Sequence, residues 1–269
     1  MRTAWGRRSI TALVRRRAGR PPPIRGGGRI RSFAQTDPGL DRTSNQDVAY
    51  VRSDGDSELL VVADGMGGAP AGEVASALVV EAFERRPERG VEPLAYLRQA
   101  VEDARNAITS SVAEHPEREG MGSTVAAAFV RDGRVWAVNV GDSRAYLWQG
   151  GELRQLSEDH SVAAQGVRDG WIDREMARID PQRHMLTRVI GGMTTADQSP
   201  TYSCEPAELD GSSAVLLVTD GVSGVISDEE LSASIEQHSG RELARELIRR
   251  VHEAGAPDNI GIAIFDERA

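Results

Sequence analysis

The 269-residue chain is 39% hydrophobic, enough to bury a full core in one large domain or two small ones, and this excludes a peptide-sized or coiled-coil object. Its 32 basic residues, every one Arg, face 41 Asp and Glu for a formal charge of −9, a balance that argues against a general nucleic-acid binder. No uncharged apolar run approaches the roughly 18 residues that a membrane span requires.

The charge is unevenly placed. Residues 1–31 hold ten Arg and no acid, whereas residues 32–269 carry a formal −19. With a Pro triplet, a Gly triplet and few apolar residues, this basic leader is expected to be disordered. Arg7-Arg8 ahead of residues 10–14 resembles the start of an export signal, but Arg15-Arg16-Arg17 cuts the apolar stretch far short of the usual length of about 7–15. We therefore expect a cytoplasmic protein. The lone Cys204 excludes an internal disulfide and a Cys-rich zinc site, suits a reducing compartment, and reads as a packed thiol. Asp210, six places after it, rules out a Cys-x5-Arg phosphatase loop.

Along the body, short β-branched runs bounded by Gly, Asp or Asn predict strands at 47–51, 59–63, 123–130, 134–140, 145–148, 214–219 and 260–265. Helical periodicity predicts helices at 73–85, 93–114, 228–237 and 241–252. In the second of these, Leu94, Leu97, Val101, Ala104 and Ile108 form one apolar stripe. Residues 160–190 lack a sustained strand pattern and predict a loop-rich insertion or flap. Paired strands followed by paired helices argue for antiparallel sheets covered by helices, in a single α+β domain over residues 32–269.

Three of the runs end in the same way, at Asp64-Gly65, at Gly141-Asp142 and at Asp220-Gly221; Asp258 precedes the last strand and Asp47 opens an early one. One Asp-Gly at a strand end is ordinarily a turn. Five strand-end carboxylates in one domain are another matter: if they converge they repel one another, and divalent cations convert that repulsion into ligation. All-oxygen ligands select hard ions, Mg²⁺ or Mn²⁺. Two such ions about 3.5–4 Å apart can activate a water in line with phosphorus, with an Arg fork orienting the phosphoryl oxygens. Arg42, five residues before Asp47, is the candidate, although alone it would read as a surface ion-pair residue.

The segments Gly39-x-x-Arg42-x-x-Asn45-Gln46-Asp47, Val62-Ala63-Asp64-Gly65-Met66-Gly67-Gly68, Gly122-Ser123-Thr124, Val140-Gly141-Asp142-Ser143-Arg144, Thr187-Arg188-Val189-Ile190-Gly191-Gly192, Thr219-Asp220-Gly221 and Asp258-Asn259 follow a known order. Together they resemble the metal-dependent protein serine/threonine phosphatases of the PP2C (PPM) type, in the bacterial branch, over nearly the whole body. The resemblance implies a four-layer αββα sandwich, two antiparallel β-sheets flanked by helices, with a dinuclear Mn²⁺ or Mg²⁺ site at one edge between the sheets. It implies that Asp64 bridges both ions, that the Gly65 carbonyl helps bind one, that Asp220 and Asp258 hold the other, and that Asp47 acts through bound water. Asp142 with Asp220 would form a third, weaker site, and Arg42 would take the phosphate. Arg42, Asp64 and Asp220 are thus the expected catalytic residues. The implied partners are phosphorylated proteins, with a Ser/Thr kinase opposing the enzyme in what the all-Arg composition suggests is a GC-rich bacterium; a monomer is expected.

The chain departs from the family pattern at three points. Met66 stands where animal members have the His proposed as general acid, so the leaving alkoxide must take its proton from a metal-bound water or another residue. Gln46 replaces the usual Glu, and Val222-Ser223-Gly224 replaces a bulkier, more polar run. Elsewhere the bland readings lead: His160 as structural, His184 as solvated in the flap, Arg144 and Arg188 as orienting carboxylates or backbone, Asn259 as bracing a strand entry, and Trp171 as hinge packing or a substrate contact. A catalytically silent phosphoprotein-binding module is the alternative function; the complete carboxylate set argues against it.

Overall fold

A computed structural model describes residues 31–68, 71–85, 87, 90–192, 201–202 and 206–269. The expected disorder of the leader and the packed thiol at Cys204 lie outside the described residues, Arg31 excepted.

All strand pairings among these residues are antiparallel. One sheet orders β1 (Ser32–Asp37), β13 (Ile260–Asp266), β12 (Ala214–Val218), β7 (Arg144–Gln149) and β8 (Glu152–Gln155). The other is built on β2 (Asp47–Ser53), β3 (Ser57–Met66), β5 (Val125–Arg131) and β6 (Arg134–Val140). Short strands extend it: β4 (Gly122–Ser123) and β9 (Ile190–Gly191) beyond the end of β3, and β10 (Thr201–Tyr202) and β11 (Ala207–Glu208) along β6.

Both faces of each sheet are covered, which explains runs that are apolar at every position rather than alternating. On β3, Leu59, Val61 and Ala63 pack toward α1 (Ala71–Glu84) and α2 (Pro93–Glu114), whereas Leu60 and Val62 pack toward the second sheet. On β12 and β13, Leu216, Val218, Ile262 and Ile264 pack toward the helices that follow the second sheet. These are α5 (Asp220–Ser223), α6 (Asp228–Gln237) and α7 (Gly240–Glu253). Val215, Leu217, Ala263 and Phe265 meet the first sheet. Three apolar layers therefore separate four layers of structure, the αββα sandwich that the resemblance implied.

Several expectations shift in detail. The expected strand 123–130 breaks at Thr124, whose backbone N–H turns to the Asp64 carbonyl oxygen at 2.9 Å, so its two halves pair with different partners. On α2 the buried stripe runs through Tyr96, Leu97, Val101, Ala104 and Ile108, leaving Leu94 only half-buried. Strand β1 was not anticipated; its polar sequence SFAQTD is half-buried at every position and carries little periodicity. The flap region holds two short helices, α3 (Val162–Arg168) and α4 (Arg174–Ile179), each too short to show a helical period.

Candidate metal centre

The alternation that sends Leu60 and Val62 between the sheets sends Asp64, two residues on, to the same face. The same parity carries β12 from Val215 and Leu217 to Thr219, β5 back from Ala126 to Thr124, and β6 from Val135 and Ala137 to Asn139. At one edge of the sandwich the inter-sheet layer thus changes from aliphatic to polar, and the polar residues bond across it. The Thr219 hydroxyl donates to Asp47 Oδ2 at 2.7 Å and accepts from the Gly261 N–H at 2.8 Å, tying the two sheets together.

Asp47 and Asp64 face each other in register on β2 and β3, which sets their Cβ atoms about 4.5–5.5 Å apart. Burial, then the charges of Asp220 and Asp258, push the Asp47 carboxyl up to about 8, against the opposing hydrogen bond from Thr219. Asp64 is pushed well above the usual carboxylate range by burial and by Asp47, Asp220 and Asp258. Asp142 is raised by burial, then by Asp220, Asp159 and Asp64. The five sequence-selected carboxylates therefore act on one another electrostatically, from chain positions as much as 211 residues apart.

Close backbone approach holds the edge together. A Cβ on Gly65 would stand 2.0 Å from the Gly72 carbonyl oxygen, and one on Gly221 only 1.9 Å from that of Asn259. Asn259 organises the loop bearing Arg42: its Oδ1 accepts from the Gln46 N–H at 2.9 Å, and its Nδ2 donates to the carbonyls of Pro38 and Ser44 at 2.8 and 2.9 Å. The Asn259 side chain thus clamps the Arg42 loop, where the sequence suggested only a cap or brace at its own strand entry. Arg42 Nη2 then lies 2.7 Å from Asp258 Oδ2.

A second network fixes the turn carrying Asp142. Gly141, at φ +99°, donates its N–H to Nδ1 of buried His160 at 3.1 Å. Ser143 and Thr124 share a hydrogen bond of 2.7 Å between their hydroxyls. Burial, then the cations Arg188 and Arg168, lower His160 to about 4, so the imidazole stays neutral and structural. Arg144 makes a bidentate pair with Asp159, with Nη2 to Oδ2 at 2.7 Å and Nε to Oδ1 at 3.1 Å. Thr219 and Asp159 had no role assigned from the sequence. Only the parity of β12 could have singled out Thr219, and nothing in the spacing marks Asp159.

The flap reaches this edge too. Its stem closes through the Ser161 and Leu186 bridge, and His184, solvent-exposed as expected, lies with Nδ1 3.6 Å from Asp220 Oδ2. Trp171 is not hinge packing. It is exposed, and Ile172 fills the space beside Gly166, where a Cβ would stand 3.1 Å from Ile172 Cγ1.

Among the described residues no three His, Cys, Asp or Glu side chains are gathered tightly enough to hold an ion as they stand. Two of the carboxylates have oxygens engaged by Arg42 and Thr219. The donor set is nonetheless chemically suited to hard divalent cations: crowded carboxylates, Asp47, Asp64 and Asp142 among them with raised proton affinity, the backbone carbonyl of Gly65 next to Asp64, and no thiolate among the described residues.

Residues 41–260 match the family model Protein phosphatase 2C. The chain is 36% identical over 239 residues to the serine/threonine protein phosphatase PstP of Mycobacterium tuberculosis, covering 88% of this chain and 45% of that protein. It is 31% identical over 242 residues to the serine/threonine phosphatase stp of Listeria welshimeri, covering 86% and 94%. The chain thus spans about half of the mycobacterial relative and nearly all of the listerial one. The crystal structure of the Mycobacterium tuberculosis enzyme superposes with a TM-score of 0.80 at 36% identity, over 88% of this chain and 97% of that one. A structure of the PstP catalytic domain in complex with two manganese ions superposes with a TM-score of 0.76 at 34% identity, over 88% and 97%. With its sandwich, its edge of carboxylates and a family match over most of its length, the chain belongs to the protein phosphatase 2C family.

Proposed function

We propose that this protein is a metal-dependent protein serine/threonine phosphatase of the bacterial branch, with residues 32–269 as its catalytic unit and phosphorylated proteins as its substrates. The observation that carries the reading is the convergence of distant carboxylates at one edge, with Asp47 and Asp64 facing in register, Asp220 and Asp258 close enough to raise both, and Arg42 lying 2.7 Å from Asp258. The serine/threonine phosphatases among its relatives, and the two manganese ions bound by one of them, agree with it.

In this reading Asp64, Gly65, Asp220, Asp258 and Asp47 hold two Mn²⁺ or Mg²⁺ ions, and Asp142 with Asp220 offers a weaker third site. When bound, such ions supply an activated water and neutralise phosphate charge. The chain's residues do the rest. Arg42 exchanges Asp258 for two phosphoryl oxygens, its fork fixing the phosphorus against the cleft. Thr219 orients Asp47 and ties the two halves of the site together. Asn259 keeps the Arg42 loop seated on β13. Met66 has no proton to give, so the leaving alkoxide is protonated from elsewhere in the cleft.

The test is phosphate release from a phosphothreonine peptide by the full chain with Mn²⁺. Activity is expected to require the metal and to disappear in EDTA and in Asp64→Asn and Asp220→Asn. Full turnover in EDTA, or in either variant, would overturn the proposal.

A further inference from the structure

Local pattern and structure disagree at one point beside the metal centre. Residues 123–130 read as one continuous strand, yet the chain breaks at Thr124, between β4 and β5. Sequences give up local regularity of this kind mainly where a site needs it. What the break buries is polar: Ser123 and Thr124 lie fully buried beside Ser143, and a buried hydroxyl is costly unless it is hydrogen-bonded.

The bonds of these hydroxyls join two of the carboxylate-bearing segments. The Thr124 N–H and the Ser123 hydroxyl both donate to the Asp64 carbonyl oxygen, each at 2.9 Å. In return the Asp64 N–H donates to the Thr124 hydroxyl at 3.1 Å. That hydroxyl also bonds to the Ser143 hydroxyl at 2.7 Å, and among the described residues Ser143 Oγ has no other hydrogen-bond partner. The Thr124 methyl packs against Gly141, where a Cβ would stand only 2.5 Å from Thr124 Cγ2. Thr124 therefore meets the chain on both sides of Asp142 while it holds the backbone of Asp64. Residues 141–143 carry the chain from β6 in one sheet to β7 in the other. The far flank of that crossing, Gly141, is held by His160, whose N–H donates to the Gly141 carbonyl at 2.9 Å; the near flank, Ser143, is held through its side chain by Thr124.

We propose that Thr124 is a positioning residue whose hydroxyl bond to Ser143 is a strut, setting the spacing between Asp64 and the turn that bears Asp142. Thr124 acts through these two neighbours and is not itself a ligand. Through the strut, the ions held at Asp64 and the weaker ion at Asp142 depend on one buried hydroxyl pair. The proposal rests on the metal-dependent phosphatase reading and deepens it by naming what holds the third site in place. It also accounts for the strand break: a continuous strand would pair the Thr124 N–H along the ladder instead of turning it to Asp64.

The test counts Mn²⁺ bound to the full chain through the electron paramagnetic resonance of the free ion, with melting of the metal-free protein in EDTA measured alongside. The unmodified protein is expected to bind two ions tightly and a further ion more weakly. Ser143→Ala removes the far end of the strut, so it should weaken the last ion about tenfold, the scale of one buried hydrogen bond, and leave the first two within about threefold. Thr124→Val keeps a methyl against Gly141 but loses the hydroxyl, and should weaken all of the ions by about tenfold or more. Thr124→Ser keeps the hydroxyl and loses the methyl; it should melt lower in EDTA yet bind Mn²⁺ within about threefold of the unmodified protein. A role in packing alone gives the reverse order, with Thr124→Ser the damaging change and every dissociation constant unaltered in Ser143→Ala. Either of those results would overturn the proposal, and the comparison of Ser143→Ala with Thr124→Ser decides it even if Thr124→Val does not fold. Two tight ions with no weaker one in the unmodified protein would overturn the link to Asp142 and leave the phosphatase reading standing. Absence of any Mn²⁺ binding would remove that reading and the proposal with it.

Discussion

At the scale of single residues, charge and hydrogen-bonding geometry decide the behaviour. Arg42 is partly exposed, so its ion pair with Asp258 contributes about 1 kcal/mol or less to stability. Arg42→Lys should therefore leave thermal unfolding nearly unchanged while lowering kcat/KM on a phosphopeptide roughly 10–100-fold, because an ammonium cannot grip two oxygens at once. Parallel melting curves and steady-state kinetics check both halves. His160 makes a prediction with a definite sign. Its folded value of about 4 lies below the ordinary 6.5, so folding favours the neutral ring. As pH falls from 6.5 toward 4 the unfolded chain takes up a proton that the folded chain refuses, and stability is lost across that window. His160→Gln, whose amide oxygen can still accept from the Gly141 N–H, should lose less in melting temperature between pH 7 and 5 than the unmodified protein; equal losses would refute the assignment. The five aspartates were legible in the sequence because strand-end acids stand out against apolar runs, and Arg42 only through the motif it shares with Asp47. The partners Thr219, Asp159 and His184 were not, because a hydroxyl, a loop carboxylate and a flap imidazole look the same in sequence whether or not a site lies beside them.

At the scale of elements, the site depends on how closely two strand ends can approach. The start of α5 lies against the entry to β13, and no side chain fits between Gly221 and the Asn259 carbonyl. Gly221→Ala must push these elements apart, at a cost of about 1–3 kcal/mol in urea unfolding, and it should reduce Mn²⁺-dependent turnover more than stability alone explains, since Asp220 and Asp258 move with them. Unchanged activity would show that the spacing is not critical. The long elements followed from sequence because a strand buried on both faces reads as a continuous apolar run and a helix such as α2 as a periodic one. The short ones did not: α4 spans only six residues, and β1 is recognised only by its register against β13.

At the scale of the whole molecule, the crowded aspartates are a liability that cations relieve. Binding to the folded chain alone stabilises it by about 2.7 kcal/mol at a hundredfold excess over Kd, so saturating Mn²⁺ should raise the melting temperature by several degrees, roughly 5 °C or more for a chain of this size. The rise should vanish in the double variant Asp64→Asn, Asp220→Asn; a rise of equal size there would remove the carboxylates from the metal site. The sequence by itself determined the chemistry available, namely acids at the ends of apolar strands and an arginine on the loop before one of them, and the layered class of the fold, because both are written in local order and period. The tertiary structure alone decided which of those groups meet. Strand parity turns Asp64, Thr124, Asn139 and Thr219 into one inter-sheet edge, Asn259 draws the Arg42 loop onto β13, and the flap brings His184 over Asp220. Contacts between residues as much as 221 positions apart depend on sheet order and register, which no local pattern encodes.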